Sequence, residues 1–298
     1  MRILLLGKIG QLGWELHRTL PPVGDIFAFD YPEIDLAQPE SLRGLVQTIQ
    51  PQVIVNATAY TAVDRAEAEP QLALAINGLA PGILAEAALQ VNSALIHFST
   101  DYVFDGTKGS PYLETDLPNP LCVYGSSKLA GEQVISEVGG AYLILRTSWV
   151  YSLRRDSFVT KVLEWARRKQ NLRVVSDQVS NPTWARMLAE ASAQLLAIAT
   201  QNSAGGIAAW LRERQGIYHL AGGGYTSRLE WARTILKKDP HSEEQLTHEI
   251  QPALTTDFPT PANRPLFSAL DCQKFSDAFD LRLPDWDMAL SLAMDTVN

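Results

Sequence analysis

The chain has 298 residues, of which 46% are apolar, and this length and composition predict a globular protein of about two domains. Its 25 basic and 33 acidic residues give a net charge of −8, which argues against non-specific binding to nucleic acid or anionic membranes. No apolar run approaches the roughly 20 residues of a membrane span, and the N-terminus shows no cleavage-site pattern. We therefore expect a cytoplasmic protein without a nucleic-acid or membrane partner.

The N-terminal segment has the order strand, glycine loop and helix. An apolar run over Ile3–Leu6 leads into Gly7-x-x-Gly10-x-x-Gly13, after which apolar residues recur with helical spacing. Glycines let backbone amides approach a pyrophosphate, and the N-terminus of the following helix stabilises its charge. The segment therefore predicts a dinucleotide site, although a glycine turn in an unrelated α/β domain would fit the loop spacing alone.

An acidic residue follows the second apolar run. Ile26–Phe29 ends in Asp30, at the distance from the glycine loop where dinucleotide-binding folds place the acid that accepts the ribose hydroxyls. The residues from Asp30 to Arg43 contain further acids and no basic residue before Arg43. Because a 2′-phosphate would be repelled by these acids, we expect NADH to be accepted at least as well as NADPH.

Later apolar runs predict a parallel sheet. Runs at Val53–Asn56, Ala94–Phe98 and Tyr142–Leu145 alternate with helical patterns, and continuous runs of this kind fit strands buried on both faces. The fold class is therefore α/β, with a Rossmann-type doubly wound parallel sheet. Polar residues such as Thr100 and Thr147 end these strands, so they should line one crevice at the carboxyl edge of the sheet.

The alternation becomes less regular in the second half of the chain, where helical patterns surround a short apolar run, Ile217–Leu220. We expect a dinucleotide-binding domain over residues 1–150, with segments near 183–222 packing back on it. Residues 151–298 are expected to form mainly a smaller, interleaved C-terminal substrate-binding lobe. The stretch Asn202–Gly206 is the predicted mobile loop.

Tyr124 and Lys128 lie four residues apart on a predicted helix that begins on the crevice side of the sheet. Any two surface residues at this spacing share a helix face, so the pair alone is weak evidence. Beside a dinucleotide, a lysine ammonium and a positive nicotinamide ring would lower the tyrosine pKa, and Lys128 could hold the nicotinamide ribose. Thr100, otherwise a strand-end cap, could hold a substrate carbonyl beside the phenol. Together these residues predict reduction of a ketone by hydride transfer.

These motifs resemble the extended short-chain dehydrogenase/reductase superfamily and, within it, the dTDP-4-dehydrorhamnose reductase family. The resemblance implies NADH- or NADPH-dependent reduction of the C4 ketone of dTDP-4-dehydro-L-rhamnose (dTDP-6-deoxy-L-lyxo-4-hexulose) to dTDP-L-rhamnose for surface polysaccharide synthesis. The matching stretches extend over nearly the whole chain: GKIGQLGWEL (7–16), NATAYTAVDRAEAEP (56–70), FSTDYVFDG (98–106), RTSWVYS (146–152) and RPLFSALD (264–271).

The resemblance also implies site residues. The catalytic set is Thr100, Tyr124 and Lys128. The cofactor-binding set is Gly7, Gly10, Gln11, Leu12, Gly13, Asp30, Asp35, Leu36, Ala57, Ala59, Tyr60, Tyr124 and Lys128. The substrate-binding set is Thr100, Asp101, Tyr102, Trp149, Asn181 and Arg264, with Thr183 as a further candidate. Trp149 could also be a core tryptophan and Arg264 a solvated surface arginine.

Three positions depart from the family's pattern. Ser152 and Ser180 stand where glycine is usual, and Phe267 stands where asparagine is common, all in loops near the expected substrate pocket. His97 and His219 lie in apolar runs and are expected to be core histidines.

Some members of the family form Mg²⁺-linked dimers through glutamates, and Glu15 and Glu190 occupy matching positions. Residues 288–298 contain no glutamate, and a hard cation requires several oxygen ligands. Mg²⁺ could bind, but we expect no strict requirement for it, and either a monomer or a homodimer.

Two other functions fit parts of this pattern. A nucleotide-sugar epimerase shares the fold and the Tyr–Lys pair but releases no oxidised cofactor. The regulatory subunit of methionine adenosyltransferase resembles the same family yet acts as a binding partner, so the fold alone does not establish catalysis. The intact set of Thr100, Tyr124 and Lys128 favours an enzyme. Tyr102 stands where related 4,6-dehydratases have a glutamate, which argues against dehydration.

Overall fold

The computed structural model describes residues 1–203 and 205–295. In the first half of the chain, strands alternate with helices, as the spacing of the apolar runs predicts. The elements in chain order are β1 (Arg2–Leu6), α1 (Gln11–Thr19), β2 (Asp25–Phe29), α2 (Pro39–Ile49), β3 (Val53–Asn56), α3 (Val63–Ala66), α4 (Pro70–Leu74), α5 (Ala80–Gln90), β4 (Ala94–Thr100), α6 (Val123–Val138) and β5 (Ala141–Thr147).

The second half contains shorter strands between its helices. Serine side chains begin two of these helices, because the hydroxyls of Ser157 and Ser227 accept backbone N–H groups three residues ahead. The elements are β6 (Val150–Tyr151), α7 (Phe158–Ala166), β7 (Asn171–Val175), β8 (Val179–Ser180), β9 (Thr183–Trp184), α8 (Ala185–Asn202), α9 (Ile207–Arg212), β10 (Gly216–His219), β11 (Thr226–Ser227), α10 (Arg228–Lys237), β12 (Glu249–Ala253), α11 (Gln273–Phe279) and α12 (Trp286–Asp295).

Six strands form one parallel sheet in the spatial order β10-β5-β4-β3-β1-β2. The chain therefore moves outward from β1 in both directions, and the predicted doubly wound parallel sheet is confirmed. In the register of the sheet, Thr100 at the end of β4 lies beside Thr147 at the end of β5. Because all six strands run the same way, their carboxyl ends meet at one edge.

Both faces of the sheet are buried, as the continuous apolar runs predict. Ile3 and Leu5 belong to the core on the side of α1 and α8, whereas Leu4 and Leu6 belong to the core on the side of α2 and α5. Successive residues of a strand point to opposite faces, so one run supplies two cores.

Helix α6 lies close against its neighbours because it has glycine at two contacts. A Cβ on Gly125 would lie 2.2 Å from the carbonyl oxygen of Tyr102, and a Cβ on Gly131 would lie 2.2 Å from that of Asn77. The same helix buries Glu132, which forms an ion pair with Arg146 of β5 at 2.6 Å. These contacts fix the first turns of α6 beside the ends of β4 and β5.

A further core lies outside the sheet and contains Tyr151, Trp184, Trp231 and Leu290. Around it, β7 pairs with β12, β8 with β11, and β6 with β9. Helix α8 packs on α1, and β10 extends the sheet, so residues from the second half also cover the first. The division into domains at residue 150 stays a prediction. Ala204 of the predicted loop Asn202–Gly206, and residues 296–298, lie outside the described residues.

Among the described helices, Pro70–Gln90 is long and apolar enough to cross a membrane by length and composition, although we expect no such run from the sequence. This stretch comprises α4, a π-helical segment (Ala75–Leu79) and α5, and 56% of its most apolar window is buried. It packs against α2 and α6. These contacts are those of a helix in the core of the fold.

Candidate active site

The glycine loop forms a tight turn at the carboxyl end of β1. Gly7 has φ +92°, and its N–H donates to the carbonyl oxygen of Phe29 at 2.9 Å. A Cβ on Gly7 would lie 2.9 Å from the carbonyl of Ala57, and a Cβ on Gly13 would lie 1.8 Å from the carbonyl oxygen of Gly7. Gly7 and Gly13 are therefore required for close backbone approach, and Gly13 supports the loop without lining the cleft beside it.

A cleft of about 770 Å³ opens at the carboxyl edge of the sheet, as predicted. It brings together most of the residues expected to bind cofactor, to act in catalysis or to bind substrate. Among them are Gly7, Gly10, Gln11, Leu12, Asp30, Ala57, Ala59, Thr100, Asp101, Tyr102, Tyr124, Lys128 and Trp149.

Besides Gly13, three of the expected cofactor residues do not line this cleft. Leu36 is buried in the core on the α2 side of the sheet. The carboxylate of Asp35 accepts the N–H of Ala37 at 2.9 Å and so stabilises a turn before α2. The phenol of Tyr60 donates to Glu69, which raises the tyrosine pKa. In this arrangement the side chains of Asp35, Leu36 and Tyr60 serve local structure.

Asn181 and Thr183 also lie outside the cleft. The amide nitrogen of Asn181 donates to the carbonyl oxygens of Gly224 at 2.8 Å and of Leu270 at 3.3 Å. Thr183 accepts the N–H of Gly222 at 3.0 Å. Both side chains are buried and tie three loops together, so any effect they have on a ligand is indirect.

Thr100 and Tyr124 are in contact at the centre of the cleft. The Thr100 hydroxyl accepts the N–H of Tyr102 at 3.1 Å, donates to Asp101 at 3.2 Å and hydrogen-bonds the phenol of Tyr124. Burial raises the pKa of Tyr124, and the bond to Thr100 lowers it by less. Without a bound dinucleotide, the chain therefore holds Tyr124 as a neutral phenol, and the lowered pKa expected beside a lysine ammonium and a nicotinamide ring stays a prediction.

Lys128 lies one helical turn beyond Tyr124 and is almost completely buried. Its Nζ atom is 2.6 Å from the carbonyl oxygen of Phe98 and 3.1 Å from Nε2 of His97. Burial lowers the pKa of Lys128 to about 8, while Glu132 acts in the opposite direction. His97 is a buried core residue, as expected, and burial together with Lys128 lowers its pKa well below the usual value.

Asp101 is a buried carboxylate beside Thr100. Burial raises its pKa to about 6, and hydrogen bonds from Ser268, Ser180 and Thr100 limit the rise. The hydroxyls of Ser268 and Ser180 lie 2.5 Å and 3.1 Å from Oδ2. Ser180, one of the departures from the family's pattern, thus acts on a residue next to Thr100, which is predicted to be catalytic.

A second cleft of about 840 Å³ adjoins the first and shares Trp149, Val150 and Arg228 with it. Trp149 has φ +41° and its ring stacks on Trp231, with 5.4 Å between centroids. One side of this tryptophan therefore packs in the core while the residue also lines both clefts. The lining is rich in aromatic and basic residues, including Phe158, Lys161, Trp165, Lys169, Arg173, Arg228, Trp231 and Arg264.

Arg264 lines the second cleft and is not a solvated surface arginine. Its guanidinium contacts both carboxylate oxygens of Asp64, at 3.1 Å and 2.7 Å. A bidentate pair of this kind fixes the plane of the guanidinium. Arg264 is thus a rigid cation at the wall of the cleft.

Sequence reasoning missed three arginines near the clefts. The guanidinium of Arg228 lies 3.8 Å from the ring centroid of Trp149, and burial lowers its pKa to about 10. Arg154 and Arg155 both donate to the carbonyl oxygen of Ile9 in the glycine loop, at 3.0 Å and 2.5 Å. The adjacent arginines 154 and 155, just after the RTSWVYS stretch (146–152), could have indicated basic residues near the site. No local pattern in the sequence marks Arg228.

The doubly wound sheet, the glycine loop and the cleft at the strand ends define an oxidoreductase of the short-chain dehydrogenase/reductase type. The chain belongs to the family described as the RmlD substrate binding domain, whose model matches residues 1–298.

Individual relatives are similar to this chain over nearly its full length. The chain is 40% identical to a dTDP-4-dehydrorhamnose reductase of Burkholderia thailandensis over 297 residues, 99% of this chain and 98% of the relative. Its structure resembles that of a dTDP-4-dehydrorhamnose reductase from Clostridium acetobutylicum, with TM-score 0.89, 29% identity and coverage of 100% and 99% of the two chains. A Bacillus anthracis dTDP-4-dehydrorhamnose reductase in complex with NADP gives TM-score 0.87 and 31% identity, with 99% of each chain covered.

We predict that the carboxyl group of Asp101 titrates near pH 6, which ¹³C NMR of aspartate-labelled protein will measure. Ser268→Ala and Ser180→Ala each remove a hydrogen bond that favours the carboxylate, so the pKa rises, more for Ser268 than for Ser180. Ser192→Ala, which removes a buried hydroxyl of α8, is the control and leaves the Asp101 pKa unchanged. An unchanged Asp101 pKa in both test variants would contradict this account.

Proposed function

We propose that this protein uses NADH or NADPH to reduce the C4 ketone of dTDP-4-dehydro-L-rhamnose to dTDP-L-rhamnose, in the synthesis of surface polysaccharide. One observation carries the proposal: Thr100, Tyr124 and Lys128 line the same cleft as the glycine loop, and this cleft adjoins a second one lined by aromatic and basic residues. The full-length similarity to dTDP-4-dehydrorhamnose reductases supports the same reaction.

The glycine loop, Asp30, Ala57 and Ala59 would hold the dinucleotide, with its pyrophosphate at the N-terminus of α1. The bound reduced nicotinamide supplies the hydride for the ketone carbon. Lys128, at the wall of the same cleft, would hold the nicotinamide ribose through its Nζ hydrogens.

Tyr124 is the proton donor in this proposal. Burial keeps its phenol neutral, which is the form that a carbonyl reduction consumes. The Thr100 hydroxyl contacts the phenol and would orient the substrate oxygen beside it. The single proton of the Thr100 hydroxyl faces Asp101 at 3.2 Å in the resting protein, so it would have to turn from Asp101 to the substrate oxygen, while Thr100 continues to accept the N–H of Tyr102.

The second cleft fits a nucleotide diphosphate. Its aromatic rings suit a base and a sugar face, and Trp149 lies where the cleft meets the reacting groups. Arg228 and Arg264 supply the positive charge that a diphosphate requires. Tyr102, beside Thr100, would contact the sugar, and Asn181 would act only through the loops that it holds.

The alternative function is that of a nucleotide-sugar epimerase. The two functions differ in the amount of reduced cofactor consumed for each sugar converted. Incubation of the purified protein with a small panel of dTDP-4-keto sugars and reduced cofactor should consume one cofactor for each sugar reduced. An epimerase would change the sugar without net loss of cofactor absorbance. A cytoplasmic location and a monomeric or homodimeric state stay predictions, which fractionation and light scattering will test.

Replacement of Tyr124 by phenylalanine should lower kcat by about 10² to 10⁴, because it removes the proton donor and keeps the ring. Cofactor binding, measured by the fluorescence of the reduced nicotinamide, should remain nearly normal. Tyr151→Phe is the matched control, since it also removes a buried phenolic hydroxyl but outside both clefts. A near-normal kcat for Tyr124→Phe would contradict the assignment of Tyr124 as the proton donor.

NADH should serve at least as well as NADPH. Asp30 accepts the N–H groups of Ile9 and Tyr31, and Glu33 forms an ion pair with Lys8 at 2.6 Å. A 2′-phosphate would therefore be repelled by these two carboxylates, because Lys8, the cation beside them, is already paired with Glu33. Lys8 thus supplies a basic side chain to this acidic cluster, although in sequence it lies in the glycine loop and not between Asp30 and Arg43.

The ratio of kcat/KM for the two cofactors, together with their dissociation constants, will test this preference. Asp30→Ala should reduce the difference in kcat/KM between NADH and NADPH. Glu33→Gln removes the ion-pair partner of Lys8 and should therefore raise kcat/KM for NADPH. An NADPH preference of about tenfold or more in the unmodified protein would contradict the prediction.

Chelation with EDTA should leave turnover unchanged. Burial and the nearby Glu190 raise the pKa of Glu15, and Arg186 and Arg18 offset part of this rise; Arg186 also forms an ion pair with Glu190 at 3.0 Å. These guanidiniums already neutralise the two carboxylates, which weakens any site for a hard cation. Loss of activity on chelation and its recovery with added Mg²⁺ would show that a metal is required.

A further inference from the structure

Arg154 and Arg155 approach the glycine loop from the second half of the chain and have no part in the proposed reaction. They belong to a short loop between β6 and α7, which Ser157 closes by donating its hydroxyl to the carbonyl oxygen of Ser152 at 3.0 Å. Strand β6 packs against α1, so this loop is held beside the helix that follows the glycine loop. Both guanidiniums reach the same atom, the carbonyl oxygen of Ile9.

The amides of the glycine loop itself already donate within the protein. Their acceptors are carbonyl or carboxylate oxygens: Gly7 and Lys8 donate to Phe29, Ile9 to Asp30, and Gly10 to Gly7. The first N–H groups of α1 have no partner within the helix, and no side chain caps this end. The N-terminus of α1 can therefore hold a dinucleotide pyrophosphate, but the loop before it offers no further amide.

Positive charge at this end of the cleft therefore has to come from side chains. Among the residues that the structure describes, the basic ones lining the cleft are Lys128, Arg155 and Arg228. Lys128 belongs to the predicted catalytic set, and Arg228 also lines the second cleft. Arg155 is the one of the three that contacts the glycine loop, through Ile9.

Arg154 and Arg155 place two cations on one carbonyl oxygen. Nη2 of Arg154 lies 3.0 Å and Nη1 of Arg155 lies 2.5 Å from the oxygen atom of Ile9. Neither guanidinium forms an ion pair with a carboxylate in the described part of the chain. Partial burial and the charges of Arg155 and Arg18 lower the pKa of Arg154, while Glu15 opposes them. An anion between the two arginines would relieve this repulsion.

One of the two arginines suffices for the carbonyl group of Ile9. Arg154 also lies over the ring of Trp14, at 4.4 Å from the centroid, and it does not line the cleft. Arg155 does line the cleft, and its guanidinium has five N–H donors, of which the carbonyl oxygen accepts one. Asp156, which also lines the cleft, forms no ion pair with Arg155. Arg155 can thus turn to a ligand while Arg154 keeps its contacts.

We propose that Arg155 is a cofactor-binding residue, which turns from the carbonyl oxygen of Ile9 to the pyrophosphate of the bound dinucleotide. A guanidinium suits this group because its planar fork forms parallel hydrogen bonds with phosphate oxygens. The half of the chain that is expected to bind the nucleotide sugar would in this way also contact the cofactor. The inference rests on the proposed function only for the use of a dinucleotide.

Binding of NADH and NADPH to the full chain, measured by isothermal titration calorimetry, tests the proposal. Arg155→Gln removes the cation and should weaken both cofactors alike, by about tenfold. Adenosine, which has no phosphate, should bind the variant and the unmodified protein equally in an NMR titration. No ketone is present in these measurements, so failure of the proposed reduction would not affect the result.

Further variants separate binding from support of the loop. Arg155→Lys keeps the charge without the planar fork, and the loss should be about threefold. Arg154→Gln should weaken the cofactors clearly less than Arg155→Gln, because Arg154 does not line the cleft. Arg168→Gln is the matched control, since Arg168 is an exposed arginine that pairs with Glu164 outside both clefts. This control should bind both cofactors normally.

A loss confined to NADPH would place the guanidinium at the 2′-phosphate and overturn the proposal. Equal losses in Arg154→Gln and Arg155→Gln would also overturn it, because the pair would then only support the glycine loop through Ile9. Unchanged NADH binding in Arg155→Gln would show that the pyrophosphate is held without this residue. Both arginine side chains are exposed, so their replacement should not prevent folding.

Discussion

The close approach of α6 to the sheet is the constraint on which the rest of the site depends. Gly125 and Gly131 leave no Cβ between the helix and the carbonyl oxygens of Tyr102 and Asn77, and the buried pair of Glu132 and Arg146 joins the helix to β5. Removing one partner of a buried ion pair typically costs about 3 to 5 kcal/mol, so this register of helix on strand is strongly preferred. The first turns of α6 are thereby held at the carboxyl ends of the strands.

Burial, more than charge pairing, sets the protonation of the site. It raises the pKa values of Tyr124 and Asp101 and lowers those of Lys128 and His97, so each group moves toward its neutral form. Hydrogen bonds then adjust individual groups, as the serine hydroxyls do for Asp101. A site of this kind stores a proton on the phenol of Tyr124, which suits a reaction that delivers both a hydride and a proton.

In the proposed function, each of the two clefts binds one of the two nucleotides. The glycine loop and strand ends of the first half form one cleft, and the aromatic core around Trp231 forms the wall of the other. Trp149 and Arg228 line both clefts, so the two clefts are continuous at these residues. Arg155, Arg228 and Arg264 come from distant segments and place positive charge at the cleft walls in a chain whose net charge is −8.

Local patterns in the sequence determined the sheet, the glycine loop and the Tyr124–Lys128 pair, because periodicity and short spacings act over one strand or one helical turn. Tertiary structure alone directed Tyr60 and Asn181 away from the cleft and brought Arg228 into it, since contacts between distant segments leave no mark on local spacing. It also buried the phenol of Tyr124, which raises the pKa of this group in the chain alone. The sequence shows which groups can carry a proton, but only their burial decides where the proton resides.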